Sequence, residues 1–493
     1  MASNKFDVEA TTLMVEELRG TFNAGKTRSY EWRVAQLKGI IKMMDDREQE
    51  IIEALRLDLG KPEFESAVYE IGMLKSSCAR ALKELKHWMM PEKVKSSIVA
   101  FPSSAEIVSE PLGAVLIISA WNYPILLSLD PIVGAVAAGN VAVLKPSEIA
   151  PASSSLLAKY VPEYLDSSAI RVVEGGVPET TALLDQKWDK IFYTGNGRVG
   201  RIVMAAAVKH LTPVVLELGG KSPVIVDSDV NLKVAVKRII AGKWGLNNGQ
   251  ACISADYIIT TKDFVPKLVD SLKHQLEKFY GINPLESKDL SRIVNSNHFD
   301  RLTKLLDEEK VSSKIIHGGQ SDRAQLKIAP TILLDVPEDS LIMSEEIFGP
   351  LLPILTVDRL EESFDFIRSR SKPLAAYLFT NRKKLKDEFV RTISAGGIAI
   401  NDIALHLVVP SLPYGGVGES GMGSYHGKFS FDVFSHKKSV LYRSFVADAP
   451  ARYPPYSQGK LRLLKALVVG SVLAVISALI GLPEHFGSKD KSA

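Results

Sequence analysis

The residue whose type and surroundings first suggest covalent chemistry is Cys252, one of two cysteines among 493 residues. It lies in the stretch 244–257, which reads W-G-L-N-N-G-Q-A-C-I-S-A-D-Y. Small and turn-forming residues surround the thiol, which favours a loop that brings a sulfur atom into a cleft. A structural cysteine more often lies inside an apolar run. The local sequence supports a nucleophile and a structural thiol about equally, because a catalytic cysteine needs partners.

The elements that must position this thiol follow from the periodicity of the chain. Residues 11–86 show helical spacing, and Cys78 within them is predicted to be a packed structural thiol. From residue 107, short apolar runs alternate with helical patterns, which is typical of a parallel sheet covered by helices on both faces. The predicted strands are 114–119, 141–144, 170–173, 190–193, 214–218, 257–260, 328–334, 352–357, 375–380 and 397–401.

Ligands in such α/β folds bind beyond the carboxyl ends of the strands. One of these ends, Gly195–Gly200, matches G-x-G-x-x-G between a strand and a helix. Glycines let the backbone approach a ligand closely, and a helix N-terminus favours phosphate. The motif follows the fourth strand rather than the first, so we expect a phosphate-facing loop without the ordinary dinucleotide-binding geometry.

Composition excludes several classes of protein. The net charge of +3 is well mixed along the chain, which gives no indication of nucleic-acid binding. Two cysteines far apart in sequence favour a reducing compartment over a disulfide scaffold. Residues 1–10 are polar and acidic and match neither a signal peptide nor a transit peptide. No residue pattern predicts a metal site.

Four separated pieces together resemble the NAD(P)-dependent aldehyde dehydrogenase superfamily. They are Asn122 after the first strand, E-L-G-G from Glu217, G-Q-A-C ending at Cys252, and E-E-I-F-G-P from Glu345. Further stretches are similar to class 3, the branch that includes fatty aldehyde dehydrogenases, and the resemblance covers about residues 10–455. Those stretches are 120–124, 134–140, 144–148, 175–180, 210–213, 416–427 and 430–436.

The resemblance implies an α/β aldehyde dehydrogenase fold with three parts. A Rossmann-like parallel-sheet domain for NAD(P) would comprise residues 1–218, to which 403–430 return. A second α/β domain, residues 219–402, would carry the cysteine. Residues 431–457 would form a bridging segment, and the strand-like 435–442 would extend a sheet across a homodimer interface.

The same resemblance assigns the catalytic residues. Cys252 is the nucleophile, Asn122 supplies an amide donor to the oxyanion, and Glu217 is the general base that activates water. An alternative for Glu217 is a structural ion pair with Lys221. The expected reaction is oxidation of medium- or long-chain aliphatic, lipid-derived aldehydes, and of aromatic aldehydes as a further class, to carboxylic acids.

The cofactor residues are carried over in the same way. Lys145 and Glu148 resemble the pair that meets the adenosine ribose, and a carboxylate there favours NAD over NADP. Glu346 would bind the nicotinamide ribose, with Phe348 packed nearby, although two adjacent acids at 345 and 346 also suit a solvated loop. The pyrophosphate approach would be lined by Gly195, Asn196 and Gly200, and Gly197 departs from the Thr of many relatives.

Other functions would make different demands on these residues. A CoA-acylating dehydrogenase would not need Glu217, and a thiol hydrolase would need a histidine paired with Cys252. A semialdehyde-specific dehydrogenase of the same superfamily stays open. A catalytically retired structural protein would be expected to lose Cys252 or Glu217, and both are present.

The C-terminal tail, residues 458–493, contains an uncharged run from 466 to 482. As one helix this run would span about 26 Å, slightly less than the roughly 30 Å of a bilayer core. We expect it to anchor a cytoplasm-facing enzyme to a membrane. The alternatives are a buried terminal helix, a gate over the substrate entrance, or a soluble cytosolic protein.

Overall fold

The computed structural model describes residues 8–96, 100–446, 448–470 and 472–480 of the chain. They form two compact units. The larger comprises the residues up to Trp88 together with Pro111–Ser435, and the smaller comprises Met89–Glu110 with the residues from His436 onward.

The helices among the described residues are α1 (Val8–Asn23), α2 (Tyr30–Asp46), α3 (Glu48–Leu59), α4 (Glu63–Glu65), α5 (Met73–Trp88), α6 (Leu126–Ala138), α7 (Pro151–Tyr164), α8 (Val177–Leu184), α9 (Gly197–Val208), α10 (Leu232–Lys243), α11 (Val265–Tyr280), α12 (Ser296–Asp307), α13 (Glu309–Ser312), α14 (Leu341–Ser344), α15 (Glu362–Arg368), α16 (Lys383–Thr392), α17 (Lys428–Val433), α18 (Gln458–Val469) and α19 (Val472–Leu479).

The strands are β1 (Glu92–Val94), β2 (Ser103–Pro111), β3 (Ala114–Ile118), β4 (Val141–Lys145), β5 (Ile170–Val172), β6 (Lys190–Thr194), β7 (Val214–Glu217), β8 (Pro223–Val226), β9 (Tyr257–Thr261), β10 (Ile315–His317), β11 (Ser321–Asp322), β12 (Lys327–Ile328), β13 (Thr331–Leu334), β14 (Leu351–Val357), β15 (Ala375–Phe379), β16 (Gly397–Ile400), β17 (Gly421–Met422) and β18 (Ser435–Arg443).

The first sheet of the larger unit has six strands in the order β17-β7-β6-β3-β4-β5. Its pairs are parallel except that β17 runs antiparallel to β7 and places Gly421 opposite Glu217. Every residue of β3, β4 and β6 is buried, because helices cover the sheet and leave no strand face for polar side chains. The α/β fold with a parallel sheet that the sequence predicts is confirmed.

The second sheet of the same unit has seven strands in the order β10-β13-β14-β9-β8-β15-β16. It too is parallel apart from an edge strand, β10, which is antiparallel to β13. Its core includes Tyr257, Leu333 and Phe389, all buried. The domain boundaries expected at residues 218 and 402 stay a prediction.

Three details of this part of the fold differ from the sequence analysis. The edge strand β10 was not predicted, and only β13 of the next pair belongs to this sheet, since β12 pairs with β11. The expected strand 328–334 is two strands, β12 and β13, because Pro330 lies between them and has no backbone N–H to donate to a ladder. Strand β8 was not predicted, although it lies between β9 and β15 with all four residues buried. Its apolar run is short and begins with Pro223, which is tolerated at the first residue of a strand.

The smaller unit contains a three-stranded sheet in the order β1-β2-β18. Strand β18 covers the strand predicted over 435–442 and lies at one edge of this sheet. Two of its side chains, Leu441 and Tyr442, are more than half exposed.

The tail is not one continuous helix over the residues that the structure describes. Helix α18 ends at Val469, and Gly470 has a left-handed φ of 73° that stops it before α19 begins. The single helix expected over 466–482 is therefore wrong as far as residue 480, and residues 481 and 482 lie outside the described residues. Within the described part of the chain, no helix combines the length and the apolar character that a membrane crossing needs.

Candidate active site

Cys252 follows a tight turn whose residues have left-handed backbone conformations. The three residues of the 3₁₀ turn Asn247–Gly249 have φ angles of 50°, 51° and 81°. Asparagine and glycine are the residues that adopt this left-handed conformation most readily. A side chain at Gly249 is also excluded by space, since its Cβ would lie 2.2 Å from the carbonyl oxygen of Gly349. The turn-prone composition seen in the sequence therefore has a specific structural cause.

The fully buried side chain of Gln250 fixes the loop just before the thiol. Its Nε2 donates to the carbonyl oxygens of Asn247 at 3.1 Å and Arg292 at 2.9 Å. Its Oε1 accepts from the backbone N–H of Val294 at 3.1 Å. These three hydrogen bonds hold the segment that carries Cys252 in one conformation.

Asn122 lies in the loop after β3 and faces the same segment. Its side-chain Nδ2 donates to the backbone oxygen of Gln250 at 3.1 Å. Its own backbone oxygen accepts from Lys61 Nζ and from Asn247 Nδ2, each at 3.0 Å. Asn122 and Cys252 line the same cavity, so the structure brings these two predicted site residues together.

The Cys252 sulfur lies 3.1 Å from the hydroxyl of Tyr414. Burial raises the pKa of the Cys252 thiol to about 12; the hydrogen bond with Tyr414 opposes this, and the nearby Glu346 and Glu217 carboxyls add to it. The thiol is therefore protonated at rest near neutral pH. A nucleophilic role requires interactions that favour the thiolate.

Tyr414 is the site residue that the sequence analysis missed. The segment around it, residues 411–423, is dense in glycine. The available signal was an aromatic hydroxyl directly before Gly415, in a loop too glycine-rich to be an ordinary helix or strand. Only the fold shows that this segment returns to Cys252.

Glu217 is the last residue of β7 and is 3% exposed. Neither of its carboxyl oxygens has a hydrogen-bond partner among the described residues. Burial raises the pKa of Glu217 well above its usual range. The alternative ion pair with Lys221 is wrong, because Lys221 Nζ instead lies 2.5 Å from Asp256.

A cavity of about 440 Å³ opens beside Cys252 and lies within the usual size range of small-molecule sites. Few polar atoms line it, and these include the side chains of Asn122, Tyr414 and, elsewhere on its wall, Arg238 and Asp402. The apolar lining consists of Met73, Leu126, Leu127, Ala241, Leu246, Ala251, Ile253, Phe279, Ile403, Ala404, Leu405, Leu407 and Val408.

Lys145 and Glu148 meet at the carboxyl end of β4. The Lys145 side chain is 2% exposed, and its Nζ lies 2.9 Å from Oε2 of the half-exposed Glu148. Nζ also donates to the carbonyl oxygen of Pro146 at 2.7 Å. A buried ammonium group held beside an open carboxylate leaves both able to contact a ribose hydroxyl.

The glycine motif forms the turn from β6 into α9. A Cβ at Gly195 would lie 2.2 Å from the Tyr193 hydroxyl, and one at Gly200 would lie 3.1 Å from Leu218. Asn196 caps the helix by accepting from the backbone N–H of Val199 at 3.0 Å. The glycines therefore let Tyr193 and Leu218 pack closely against this turn. The turn opens a helix N-terminus, which suits a diphosphate.

Glu346 and Phe348 lie in the loop before β14. A Cβ at Gly219 would lie 2.1 Å from Glu346 Oε2, and Glu346 Oε1 is buried without a partner in the described part of the chain. Burial and then Asp256 raise the pKa of Glu346 to about 8. The solvated-loop alternative for Glu346 is wrong. The Phe348 ring packs edge-on against the Trp121 ring, with the ring centroids 5.4 Å apart.

Strands β4 and β6 flank β3 and run parallel to it. Lys145 with Glu148 and the Gly195–Gly200 turn therefore lie together at the carboxyl ends of the strands of one sheet. The unpartnered oxygen of Glu346 also fits a hydrogen bond from a ribose hydroxyl. These residues suit NAD(P), a ligand with two riboses and a diphosphate.

Residues 3–440 of the chain match the aldehyde dehydrogenase family. The chain belongs to this family. It is an NAD(P)-dependent aldehyde dehydrogenase of class 3 with the aldehyde dehydrogenase fold, as the sequence predicts.

Known relatives of this aldehyde dehydrogenase include plant, animal and bacterial proteins. It is 68% identical to aldehyde dehydrogenase family 3 member H1 of Arabidopsis thaliana over 98% of the chain and 100% of that protein. It is 47% identical to the dimeric NADP-preferring aldehyde dehydrogenase of Rattus norvegicus over 90% of the chain and 97% of the rat protein. The substrate-bound structure of Staphylococcus aureus AldH matches with a TM-score of 0.90 and 43% identity, covering 92% of this chain and 99% of that one.

Proposed function

We propose that this dehydrogenase oxidises medium- and long-chain aliphatic aldehydes to carboxylic acids, with aromatic aldehydes as a further substrate class. The observation that carries the proposal is the apolar cavity of about 440 Å³ lined by Cys252 and Asn122. Burial of a hydrocarbon chain against such a lining favours binding by roughly 0.8 kcal/mol for each methylene group. The polar side chains beside the sulfur can then orient the aldehyde group.

The proposed first step is attack by the Cys252 thiolate on the carbonyl carbon, which forms a thiohemiacetal. The developing oxyanion is bound by the Asn122 side-chain amide and the Cys252 backbone N–H. The hydrogen bonds that fix Asn122 and Gln250 support this role, since a preorganised donor needs no rearrangement during the reaction.

Bound NAD(P)⁺ supplies the hydride acceptor that the oxidation requires. We propose that Lys145 and Glu148 hold its adenosine ribose and Glu346 its nicotinamide ribose. Gly195, Asn196 and Gly200 would lie along the diphosphate, and Phe348 beside the nicotinamide end. A carboxylate at position 148 favours NAD, and NADP stays a second cofactor.

The proposed last step is hydrolysis of the Cys252 thioester by water that Glu217 activates. A carboxyl whose pKa is raised by burial is a stronger base when it ionises than an exposed carboxylate. The absence of a hydrogen-bond partner for either Glu217 oxygen within the described residues leaves both free to accept from that water.

The substrate proposal is tested by kcat/KM for a series of linear aldehydes from propanal to dodecanal. We expect kcat/KM to rise about two- to fourfold for each added methylene until the cavity is filled. Ala241→Trp, which narrows the cavity, should lower kcat/KM for decanal far more than for propanal. Ala35→Trp on the exposed face of α2 is the matched control. A flat series would contradict the proposal.

The CoA-acylating alternative is tested by the same assay with and without coenzyme A. We expect free acid to form at the full rate without it. A strict requirement for coenzyme A would instead support that alternative. A steep preference for aldehydes with a second carboxylate would support the semialdehyde-specific alternative.

We also propose that the enzyme is a homodimer that pairs through the exposed edge of β18. The half-exposed Leu441 and Tyr442 support this, and the rat relative is named dimeric. Light scattering should give twice the chain mass for the full chain. Leu441→Pro, which removes a backbone N–H from β18, should give monomer, and a monomeric wild type would contradict the proposal.

For the tail we propose membrane association through 466–482. Exposed apolar side chains such as Val468, Leu473 and Leu479 support it. The full chain should float with vesicles of anionic and neutral lipids, whereas a variant ending at Ser457 should stay at the bottom of the gradient and oxidise hexanal normally. Alkaline carbonate should leave the full chain in the membrane if the tail inserts as an anchor. No flotation would contradict membrane association.

A further inference from the structure

The contact between Tyr414 and Cys252 is held by a rigid backbone arrangement. Tyr414 and Tyr425 form an antiparallel bridge with N–H to O distances of 3.0 and 2.8 Å. The Tyr414 ring also stacks on the His426 ring, with centroids 5.0 Å apart and planes 11° apart. The bridge therefore holds the backbone of Tyr414 and the stack holds its ring, so that the hydroxyl lies beside the Cys252 sulfur.

The stacking partner is itself anchored. His426 Nε2 lies 3.6 Å from a carboxyl oxygen of Asp130, and the other oxygen of Asp130 accepts from the Ser77 hydroxyl at 2.5 Å. Asp130 is on α6 and Ser77 is on α5, both packed into the larger unit. The Tyr414 hydroxyl is thus held in place by a chain of contacts that ends on helices α5 and α6.

The protonation state of Tyr414 determines the direction of its hydrogen bond. Burial, followed by the neighbouring Cys252, Tyr425 and Glu217, raises the pKa of Tyr414 well above its usual range. Tyr414 therefore keeps its proton over the working pH range. Toward an ionised sulfur, which has no hydrogen to give, the hydroxyl can act only as donor.

The other titratable groups around this pair do not favour the thiolate. The Glu346 and Glu217 carboxyls raise the pKa of the thiol, whereas the hydrogen bond with Tyr414 is the largest influence that lowers it. The groups that face the pair are Glu217, Glu346, Tyr123, Tyr377, Tyr425 and His426.

We infer that Tyr414 is a catalytic residue whose hydroxyl donates a hydrogen bond to the Cys252 sulfur and stabilises the attacking thiolate. The inference rests on the proposed role of Cys252 as nucleophile. Cys252 releases its proton to solvent water, the sulfur lone pair forms the bond to the carbonyl carbon, and the carbonyl π electrons move to oxygen. Tyr414 keeps its own proton throughout.

The test is alkylation of the full-length enzyme by iodoacetamide between pH 7 and 9, with the modified cysteine identified by mass spectrometry. Loss of a hydrogen bond to a charged group raises a pKa by roughly one to two units, and the higher intrinsic reactivity of the more basic sulfur offsets part of this. We therefore expect Tyr414→Phe to alkylate Cys252 about three- to fifteenfold more slowly at a fixed pH. Tyr160→Phe, which removes a hydroxyl on α7, should alkylate at the wild-type rate.

A second replacement separates a chemical role from damage to the fold. 3-Fluorotyrosine at position 414 is a stronger acid of nearly the same shape, so it should speed alkylation of Cys252, which a structural defect would not do. Equal rates in wild type, the Phe variant and the fluorotyrosine enzyme would overturn the role of Tyr414. Failure of iodoacetamide to modify Cys252 in the wild type, with activity retained in Cys252→Ala, would instead overturn the nucleophile on which the inference depends.

Discussion

At the scale of single residues, the site depends on groups whose burial opposes their charged forms. The Cys252 thiol and the Glu217 and Glu346 carboxyls all have raised pKa values, and burial is the largest cause for each. Clusters of such shifted groups in a cavity are typical of catalytic sites. Burial therefore favours the neutral form of each of these three groups.

The nucleophile is tested by removing its sulfur. Cys252→Ala should lower the rate of NADH formation from hexanal below detection, because the cavity lining contains no other cysteine among the described residues. NAD binding, followed by quenching of protein fluorescence, should be retained. Cys78→Ala is the matched control, since Cys78 is a buried thiol of α5 and kcat should be nearly unchanged. Substantial turnover by Cys252→Ala would contradict the assignment.

The buried Glu346 carboxyl predicts a pH-dependent stability. Its pKa is raised from 4.5 to about 8, so the folded state binds this proton more tightly than the unfolded state does. The stability it contributes is fully present below about pH 4.5 and is lost as the pH rises through 8. Glu346→Gln should remove this loss, which amounts to at most about 5 kcal/mol.

Thermal denaturation between pH 5 and 8 measures the effect. The Tm of Glu346→Gln relative to wild type should increase across this range. Glu345→Gln, a change at the exposed neighbouring residue, should show a Tm difference that does not vary with pH. A constant difference for Glu346→Gln would mean that the carboxyl is solvated in the native protein.

At the scale of elements, a buried ion pair joins the helical N-terminal part to the loop that carries Asn122. Lys61 and Glu70 have fully buried side chains 2.5 Å apart, and Lys61 Nζ also donates to the Asn122 backbone oxygen. Glu70 Oε2 accepts from the backbone N–H groups of Ile125 and Leu126 at the start of α6, each at 3.0 Å. A carboxylate at a helix N-terminus is favoured by the helix dipole.

This ion pair predicts a large loss on removal of one partner. Lys61→Met should destabilise the enzyme by about 3–5 kcal/mol because it leaves Glu70 buried without its cation. The Lys61→Met/Glu70→Gln double variant should lose less than the sum of the single changes. Lys42→Met, in an exposed pair with Asp46, should leave the Tm nearly unchanged. Additive losses in the double variant would show that the two groups are uncoupled.

The adenosine-ribose site that we propose in the turn after β4 predicts the cofactor preference. Glu148→Gln removes a negative charge that would repel a 2′-phosphate and leaves Lys145 without its carboxylate partner. The ratio of kcat/KM for NADP to that for NAD should rise about tenfold. Glu163→Gln, at the end of α7, is a control for loss of an acid elsewhere. An unchanged ratio would place the ribose away from Glu148.

At the scale of the whole molecule, two parallel sheets of the larger unit bring together residues that are far apart in sequence. Most of the strands that the sequence predicts match observed strands to within two residues, because buried parallel strands are continuous apolar runs. Cys252, Glu217 and Asn122 were named from motifs, since the reaction restricts their residue types. The contact of Tyr414 with the thiol was not predicted, because it depends on where a long irregular segment returns. The break at Gly470 was not predicted, because a single glycine with a left-handed backbone does not interrupt the apolar pattern of the run.

In the proposed mechanism, an aldehyde is oxidised on Cys252 and released as acid by water that Glu217 activates. Glu217→Gln should still oxidise the aldehyde to the Cys252 thioester, but it lacks the base that activates water. Mixing this variant with NAD and hexanal should therefore give about one NADH per active site, after which turnover should stop. Peptide mass spectrometry of the stalled enzyme should find one hexanoyl group on Cys252. Normal steady turnover, or an acyl group on any other residue, would contradict this mechanism.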